Sequence, residues 1–471
     1  MDEICADLHP CANFFYASQP STAKAFAVDG CNSIFFASLA SAGLIALARV
    51  VSGKNTGKIW LPSPCYVTGE TSEYTGKESG KMTSIAAMEP MLPDGRREIE
   101  DLIFDLVARS SQFQGRLNPV MRASIGDLVR SMNCYYSNLI EGHDTTPFDI
   151  DRALAGQYAQ EPEKRNLQRE ARAHVEVQEI IDRGEMPYSA LSVEAILWIH
   201  KEFCARLPDE LLWVNNPTTG EKLQVIPGEL RKTTVKVGRH VPPEPDALHA
   251  LLGRLVEAYS NRMLSKSQRV VAIAAAHHRL AWIHPFLDGN GRVTRLMSHA
   301  LLREFGVGSE LWSVSRGLAR EVDRYKALLE AADEPRRGDL DGRGNLTELG
   351  LSQFCEFFLA SCVDQVKFME SLLEPRELLN RMEIWAEEEI RAKRLLKGSW
   401  PLLREAVLVG EFARAQAEEL TGYQERQART VLTALLDKGL LVSDSPRSKV
   451  RLGFPVEIVE RWLPRLYPAA R

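Results

Sequence analysis

The sequence predicts a mainly α protein: a helical bundle, interrupted by one short β-hairpin and followed by a C-terminal winged helix-turn-helix. Three patterns predict it. Between about residues 95 and 395, apolar residues recur every three or four positions, as in "IEDLIFDLVARSSQF" and "SQFCEFFLASCVDQVKF", which places them on one helix face. One stretch breaks that period: "GELRKTTVKVGRHVPPEP", Gly228 to Pro245, alternates β-branched residues around Gly238 and ends in prolines, as a short hairpin does. From Pro401, "FARAQAEELTG", "YQERQARTVLTALLDKGLLV" and "SDSPRSKVRLGF" read as a helix ending at Gly422, a second ending at Gly439, and a basic turn between strand-like pieces.

The segments follow in order. Residues 1–81 are an N-terminal extension of different texture, with half of the eight cysteines and Ser/Gly/Thr-rich pieces; a natural start at Met82 is one reading of that contrast. Its uncharged stretch, Gly30 to Ala48, is short for a bilayer crossing and diluted by serine, glycine and asparagine, so no membrane association is expected. Residues 82–150 form N-terminal helices, 151–370 the core, 371–400 a connecting helix and 401–471 the winged-helix-like unit. A loop rich in Gly, Asp and Arg, "EPRRGDLDGRGN", divides the bundle from its last helices.

With 471 residues, 45% hydrophobic and 26% charged, and a net charge of -5, the chain fits a globular protein of several units, with no whole-chain demand for nucleic acid or lipid. None of the cysteines has CxxC spacing, which points to reduced thiols and a cytoplasmic location. Cys355 and Cys362 share a helix face and are expected in the core.

Chemistry concentrates in "IHPFLDGNGR". An apolar helical run stops at Pro285 and a helix restarts in "DGNGRVTRLMSHALLREF", so His284 ends one helix and the loop leads into the next. Gly289, Asn290 and Gly291 allow amide groups to point inward at a helix N-terminus, an arrangement suited to phosphate. Asp288 is an oxygen donor for Mg2+ bridging phosphates. Arg292 and Arg295, three apart, can address outer phosphates. A histidine with an ordinary pKa near 6.5 can take a proton from an attacking hydroxyl. Together these residues describe a phosphoryl or nucleotidyl transferase centre.

"HPFLDGNGRVTR" resembles the signature of the Fic family, H-x-F-x-[DE]-G-N-G-R-x-x-R, at every specified position from His284 to Arg295. The resemblance runs from about Met82 to about residue 370. It implies protein AMPylation: AMP moves from ATP to a Ser, Thr or Tyr hydroxyl of a target protein, or of the chain itself, with Mg2+ assisting. By position it makes His284 the general base, Asp288 the metal ligand, Gly289, Asn290 and Gly291 the phosphate nest, and Arg292 a phosphate contact. Arg295 becomes the γ-phosphate contact and Phe286 a core anchor. The hairpin looks like the family's target-docking flap, with Thr233, Thr234, Val235, Lys236 and Val237 offering main-chain hydrogen bonds to an extended target segment. Retention of Gly291 and Arg292 favours nucleotidyl over phosphoryl transfer.

Upstream, "YYSNLIEGH" places Ser137 and Glu141 four apart, with Gly142 as a helix stop. It resembles the family's inhibitory helix, [ST]-x-x-x-E-[GN], in the class where the brake precedes the core. That implies an ion pair of Glu141 with Arg295 that denies the fork to the γ-phosphate. The same glutamate is also compatible with positioning water for AMP removal. A different class of function, a DNA-binding regulator with a nucleotide-sensing core, draws on Arg426, Arg429, Arg447, Lys449 and Arg451 of residues 401–471, although neighbouring acids nearly cancel them. A homodimer is compatible with the family. His200 is expected in helix packing, at least one of His277 and His278 in the core, and Trp198, Trp213, Trp282 and Trp312 in the core rather than stacked on a cofactor.

Overall fold

A computed structural model describes residues 84–215, 220–260, 262–308 and 310–467, with the backbone of three strands nearer the N-terminus. Residues 1–79 and 80–471 form two compact units. In the first, β1 (Ala23–Ala27), β2 (Ser33–Leu39) and β3 (Ile45–Val51) pair antiparallel in the order β1-β2-β3. The uncharged stretch thus supplies β2 and part of β3, and no described helix is long and apolar enough to cross a membrane. Met82 lies outside the described residues.

The second unit is helical: α1 (Arg97–Arg116), α2 (Pro119–Glu141), α3 (Pro147–Leu154), α4 (Pro162–Asp182) and α5 (Val193–Cys204) precede a two-stranded ladder of β4 (Trp213–Asn215) and β5 (Lys222–Gln224). Then come α6 (Leu248–Tyr259), α7 (Lys266–Ile283), α8 (Asn290–Glu304), α9 (Val314–Arg320), α10 (Val322–Asp333) and α11 (Glu348–Leu372). Helix starts have local causes. The Asn118 side chain accepts from the Met121 amide at 2.8 Å, ahead of Pro119, and Ser265 and Gln268 close a capping box on α7.

Helix α7 lies at the centre, packed by α1, α6, α8 and α11. Its buried Ala272, Ala274, Ala275 and Ala276 explain the apolar run: a helix covered on all sides needs apolar residues all round. It stops at His284, whose φ of 48° and ψ of 62° are left-handed, because the residue before a proline is disfavoured in the α region. Cys355 and Cys362 are buried thiols of α11.

The stretch 228–245 differs from the expected ladder. It closes through a single bridge, Val237 to His240, around Gly238 and Arg239, while the regular hairpin is β4–β5 upstream, with Trp213 opposite Gln224. The alternation is real, since Thr233 and Val235 are half-buried and Thr234 and Lys236 exposed. Its carbonyls, however, are drawn elsewhere: that of Thr233 accepts from Arg231 at 3.0 Å.

Beyond α11 lie α12 (Pro375–Arg391), α13 (Ser399–Leu408), β6 (Glu411–Phe412), α14 (Ala417–Thr421), α15 (Glu425–Asp437), β7 (Leu441–Val442), β8 (Val450–Leu452) and α16 (Val456–Trp462), with strand order β6-β8-β7. This part grips α2 along its length. Arg451 reaches Asp127 at 3.5 Å, the Tyr136 hydroxyl donates to the Leu466 carbonyl at 2.9 Å, and Tyr135 meets Tyr467 edge-on at 5.3 Å.

Candidate active site

The site forms where α7 ends, α8 begins and the last turn of α2 arrives. The loop is fixed from within: the Asn290 side chain accepts from the Phe286 amide at 2.9 Å and donates to the Phe286 carbonyl at 2.8 Å. The Asn290 side chain thus staples the loop, and only its backbone is left to face a ligand. Phe286 is fully buried and stacks on His200 at 3.9 Å, 6° from parallel. His200 in turn accepts from the Gly228 amide through Nδ1 at 2.9 Å, so one ring joins α5, the motif loop and the 228–245 stretch. Gly289, at φ 77°, begins α8 in a conformation that favours glycine. The first-turn amides of α8 lack intrahelical acceptors and carry the positive end of the helix dipole. Asp288 is exposed, with one oxygen on the Gly289 amide at 2.7 Å.

His284 is partly buried, and its pKa is pushed down to about 4 by burial first, then by Arg231 and His240. A hydrogen bond to the Ala281 carbonyl and the charge of Glu141 act the other way. With its pKa lowered in this way the imidazole is in its neutral, proton-accepting form at pH 7.

Arg295 is almost fully buried. Its Nη2 donates to Glu141 Oε1 at 2.5 Å and to the Ser137 carbonyl at 3.3 Å, while Nε donates to Ser137 Oγ at 2.8 Å. Both residues expected to form the inhibitory pattern are thus on the expected arginine, and Gly142, at φ 82°, ends α2 directly after them. Burial pushes the Glu141 carboxyl up, but Arg295, through charge and hydrogen bond, with Arg292 and His143, holds it below the ordinary value.

Arg292 is held as well. Its Nη2 donates to Glu170 of α4 and lies 3.0 Å from His143 Nδ1, and its guanidinium sits 5.1 Å from the Phe203 ring centre. Its Nε is buried without a hydrogen-bond partner, an orphan donor that an incoming phosphate oxygen suits. Behind the two arginines His174 is buried with both ring nitrogens unpartnered, its pKa pushed to about 3 by burial, then by Arg295 and Arg292. Glu170, His174, His200 and Arg231 carry no local motif; each arrives from a distant segment.

A cleft of about 180 Å³ opens between β5 and residues 229–233, lined by Leu223, Val225, Ile226, Leu230 and Leu287. A larger groove of about 720 Å³, between α9, α10 and α11, has no motif residue in its lining. Trp312, His277 and His278 are buried as expected, but Trp213 is 47% exposed, because its strand is an outlying hairpin rather than a bundle helix. Of the C-terminal basic residues, Lys449 pairs with Glu411 at 2.8 Å, Arg429 with Glu425 at 3.4 Å and Arg451 with Asp127 and Asp444.

Residues 190–302 match the model of the Fic/DOC family. The chain is 50% identical over 80 residues to a protein adenylyltransferase Fic of Drosophila grimshawi, a match over 17% of this chain and 16% of that protein. It is 30% identical over 176 residues to one of Nematostella vectensis, covering 36% and 37%. It thus spans only 16% to 37% of the length of these curated relatives. Among solved structures it is similar to a Fic family protein from Desulfovibrio desulfuricans G20, with a TM-score of 0.46 at 18% identity over 77% of this chain and 97% of that one.

Proposed function

Because the chain carries a Fic/DOC-family domain over residues 190–302, we propose that it transfers AMP from ATP to a hydroxyl side chain of a protein target and restrains itself through Glu141. The observation that carries this reading is the capture of Arg295 by Glu141 at the head of α8. An arginine beside a helix N-terminus offers donors to phosphate oxygens, and here a carboxylate of the same chain accepts from it instead.

In the reaction, the neutral His284 imidazole takes the proton of the target hydroxyl as its oxygen attacks the α-phosphorus. The bond to the oxygen bridging the β-phosphate breaks, and pyrophosphate leaves. The nest at Gly289, Asn290 and Gly291 and the forks of Arg292 and Arg295 take up the phosphate charge. One protein carboxylate with phosphate oxygens suffices for Mg2+, so exposed Asp288 fits the ion, which supplies further charge neutralisation there. The stretch Thr233–Val237 pairs with an extended target segment. Glu141 acts by turning the outer phosphates aside, so that the α-phosphorus is misplaced.

AMP removal is a second reading, favoured by one observation: the Glu141 side chain is a third exposed and its charge acts on His284, as a water-positioning group requires. Residues 401–471 we read as a winged helix-turn-helix, on the order of α13, β6, α14, α15, β7 and β8. Of its five candidate phosphate-facing residues, Arg429, Lys449 and Arg451 are paired with acids, which favours a protein-docking or purely structural wing over DNA binding.

The deciding experiment incubates the protein with Mg2+ and ATP labelled at the α or γ phosphate, comparing wild type, Glu141→Gly and Glu141→Gly with His284→Ala. Protein-bound α-label that rises in the first variant and vanishes in the second supports transfer, brake and base together. Label from the γ position would replace the reading with a kinase.

A further inference from the structure

We propose that Arg231 is a positioning residue for the transfer reaction: its buried guanidinium locks the left-handed backbone of His284 and the start of the target-facing stretch into one unit. The inference rests on the adenylyl-transfer reading above.

Arg231 is 3% exposed and forms no ion pair among the described residues. Its donors go to main-chain carbonyls instead. Nε donates to His284 at 2.8 Å, Nη1 to Thr233 at 3.0 Å, and Nη2 to Pro243 at 2.5 Å and to Ile283 at 3.5 Å. Its own amide donates to the Pro285 carbonyl at 2.9 Å. A buried cation without a carboxylate is unfavourable, and burial lowers its pKa, so an arrangement that keeps it there has a structural cause.

That cause lies in what the carbonyls are. Those of Ile283 and His284 close α7, where no intrahelical donor remains and the negative end of the helix dipole lies. His284 is left-handed at φ 48°, a conformation that a residue with a side chain adopts only when its surroundings impose it. Thr233 and Pro243 flank the bridge of the 228–245 stretch. One planar fork therefore sets the base and the surface that presents the hydroxyl to it. Lysine, a single ammonium on a flexible stem, has the charge but not the fan of donors.

The charge has its own effect. Arg231 and His240 from the 228–245 stretch and Glu141 from α2 act on His284; His240 is itself 3.3 Å from Asp333. Arg231 favours the neutral imidazole, the form able to accept a proton.

The test uses the full chain in the Glu141→Gly background with α-labelled ATP, comparing Arg231→Lys and Arg231→Met. It adds an NMR titration of His284 with nitrogen-labelled histidine. Arg231→Lys is expected to lower kcat by on the order of a hundredfold, with the nucleotide KM and the His284 titration held. Arg231→Met is expected to lower kcat alike and to move the His284 titration upward. Background kcat in Arg231→Lys would overturn the proposal, and so would loss of folding in both variants, which would make Arg231 a fold staple. If the Glu141→Gly background transfers no AMP, the transferase reading fails and the present inference, which rests on it, falls with it; transfer in that background together with background kcat in Arg231→Lys overturns the present inference alone.

Discussion

The carboxylate of Glu141 occupies the space that a side chain at Gly291 would need: an ideal Cβ there would stand 2.2 Å from Glu141 Oε1 and 3.0 Å from Arg295 Nη1. The Glu141–Arg295 pair is fitted to a glycine. The obstructing atom is the end of a flexible side chain, and a glycine-to-alanine change within a helix alone favours folding by about 0.5 to 1 kcal/mol. Gly291→Ala should therefore be less favourable in wild type than in the Glu141→Gly background, because it pushes Glu141 off Arg295. Chemical denaturation of the four proteins in that double-mutant cycle checks it; equal effects in both backgrounds would refute the fit.

Loss of Glu141 leaves Arg295 buried with Ser137 but without its carboxylate. With the carboxylate a third exposed, solvent screening reduces the value of the pair, and Glu141→Gln should destabilise by about 1 to 2 kcal/mol. ATP should then raise the melting temperature more in the variant than in wild type, because binding to the folded state alone stabilises by mass action. A smaller ATP shift in the variant would contradict competition for Arg295.

Glu170 is the corresponding tether of Arg292, and both side chains are mostly buried, at 7% and 15% exposure. Breaking a buried pair from one side typically costs about 3 to 5 kcal/mol, so Glu170→Gln should be among the more destabilising substitutions near the site. It should also raise the nucleotide KM more than it lowers kcat, since Arg292 loses the orientation that aims its unpartnered Nε. An unchanged KM in steady-state kinetics would argue against that role.

Stability should fall as pH drops below about 6.5. Burial holds His200 and His284 to about 4, and His174 and His277 to about 3. The unfolded chain therefore binds protons that the folded chain refuses over that interval, at about 1.4 kcal/mol per pH unit for each group. Glu141 and Glu170, whose folded values lie below the ordinary carboxylate range, stabilise above about pH 4.3 and lose that contribution as pH falls through their folded values. Melting curves from pH 7.5 to 5 check the upper window, and His174→Leu should flatten the slope. A flat profile in wild type would exclude buried neutral histidines.

The site was legible where its residues are contiguous. His284 through Arg295 lie on one loop and one helix turn, so order alone reveals their geometry; Ser137 and Glu141, four apart, share a helix face. Glu170 and Arg231 show no such pattern, because their partners are 122 and 53 residues away, and only packing brings them in. The 228–245 stretch misled for a related reason. Its alternation is that of a strand, but Arg231 takes the Thr233 carbonyl that a ladder would use. The size and apolarity of Trp213 place it in a core, but they do not distinguish an outlying hairpin from a core helix.

The grip of the C-terminal elements on α2 bears on time. Tyr135, Tyr136 and Asp127 are anchored, while Glu141 and Gly142, at the helix end, are exposed. Release of Arg295 by Glu141 requires movement of the final turn, in which Leu139 and Glu141 are exposed but Asn138 and Ile140 are buried, while Ser137 keeps its own bonds to the arginine. Helix ends open and close within about a microsecond, faster than domain motions. If Glu141 restrains AMP transfer as proposed, the restraint would be an equilibrium on the scale of a catalytic turnover, and the occupancy of the open turn would set the rate.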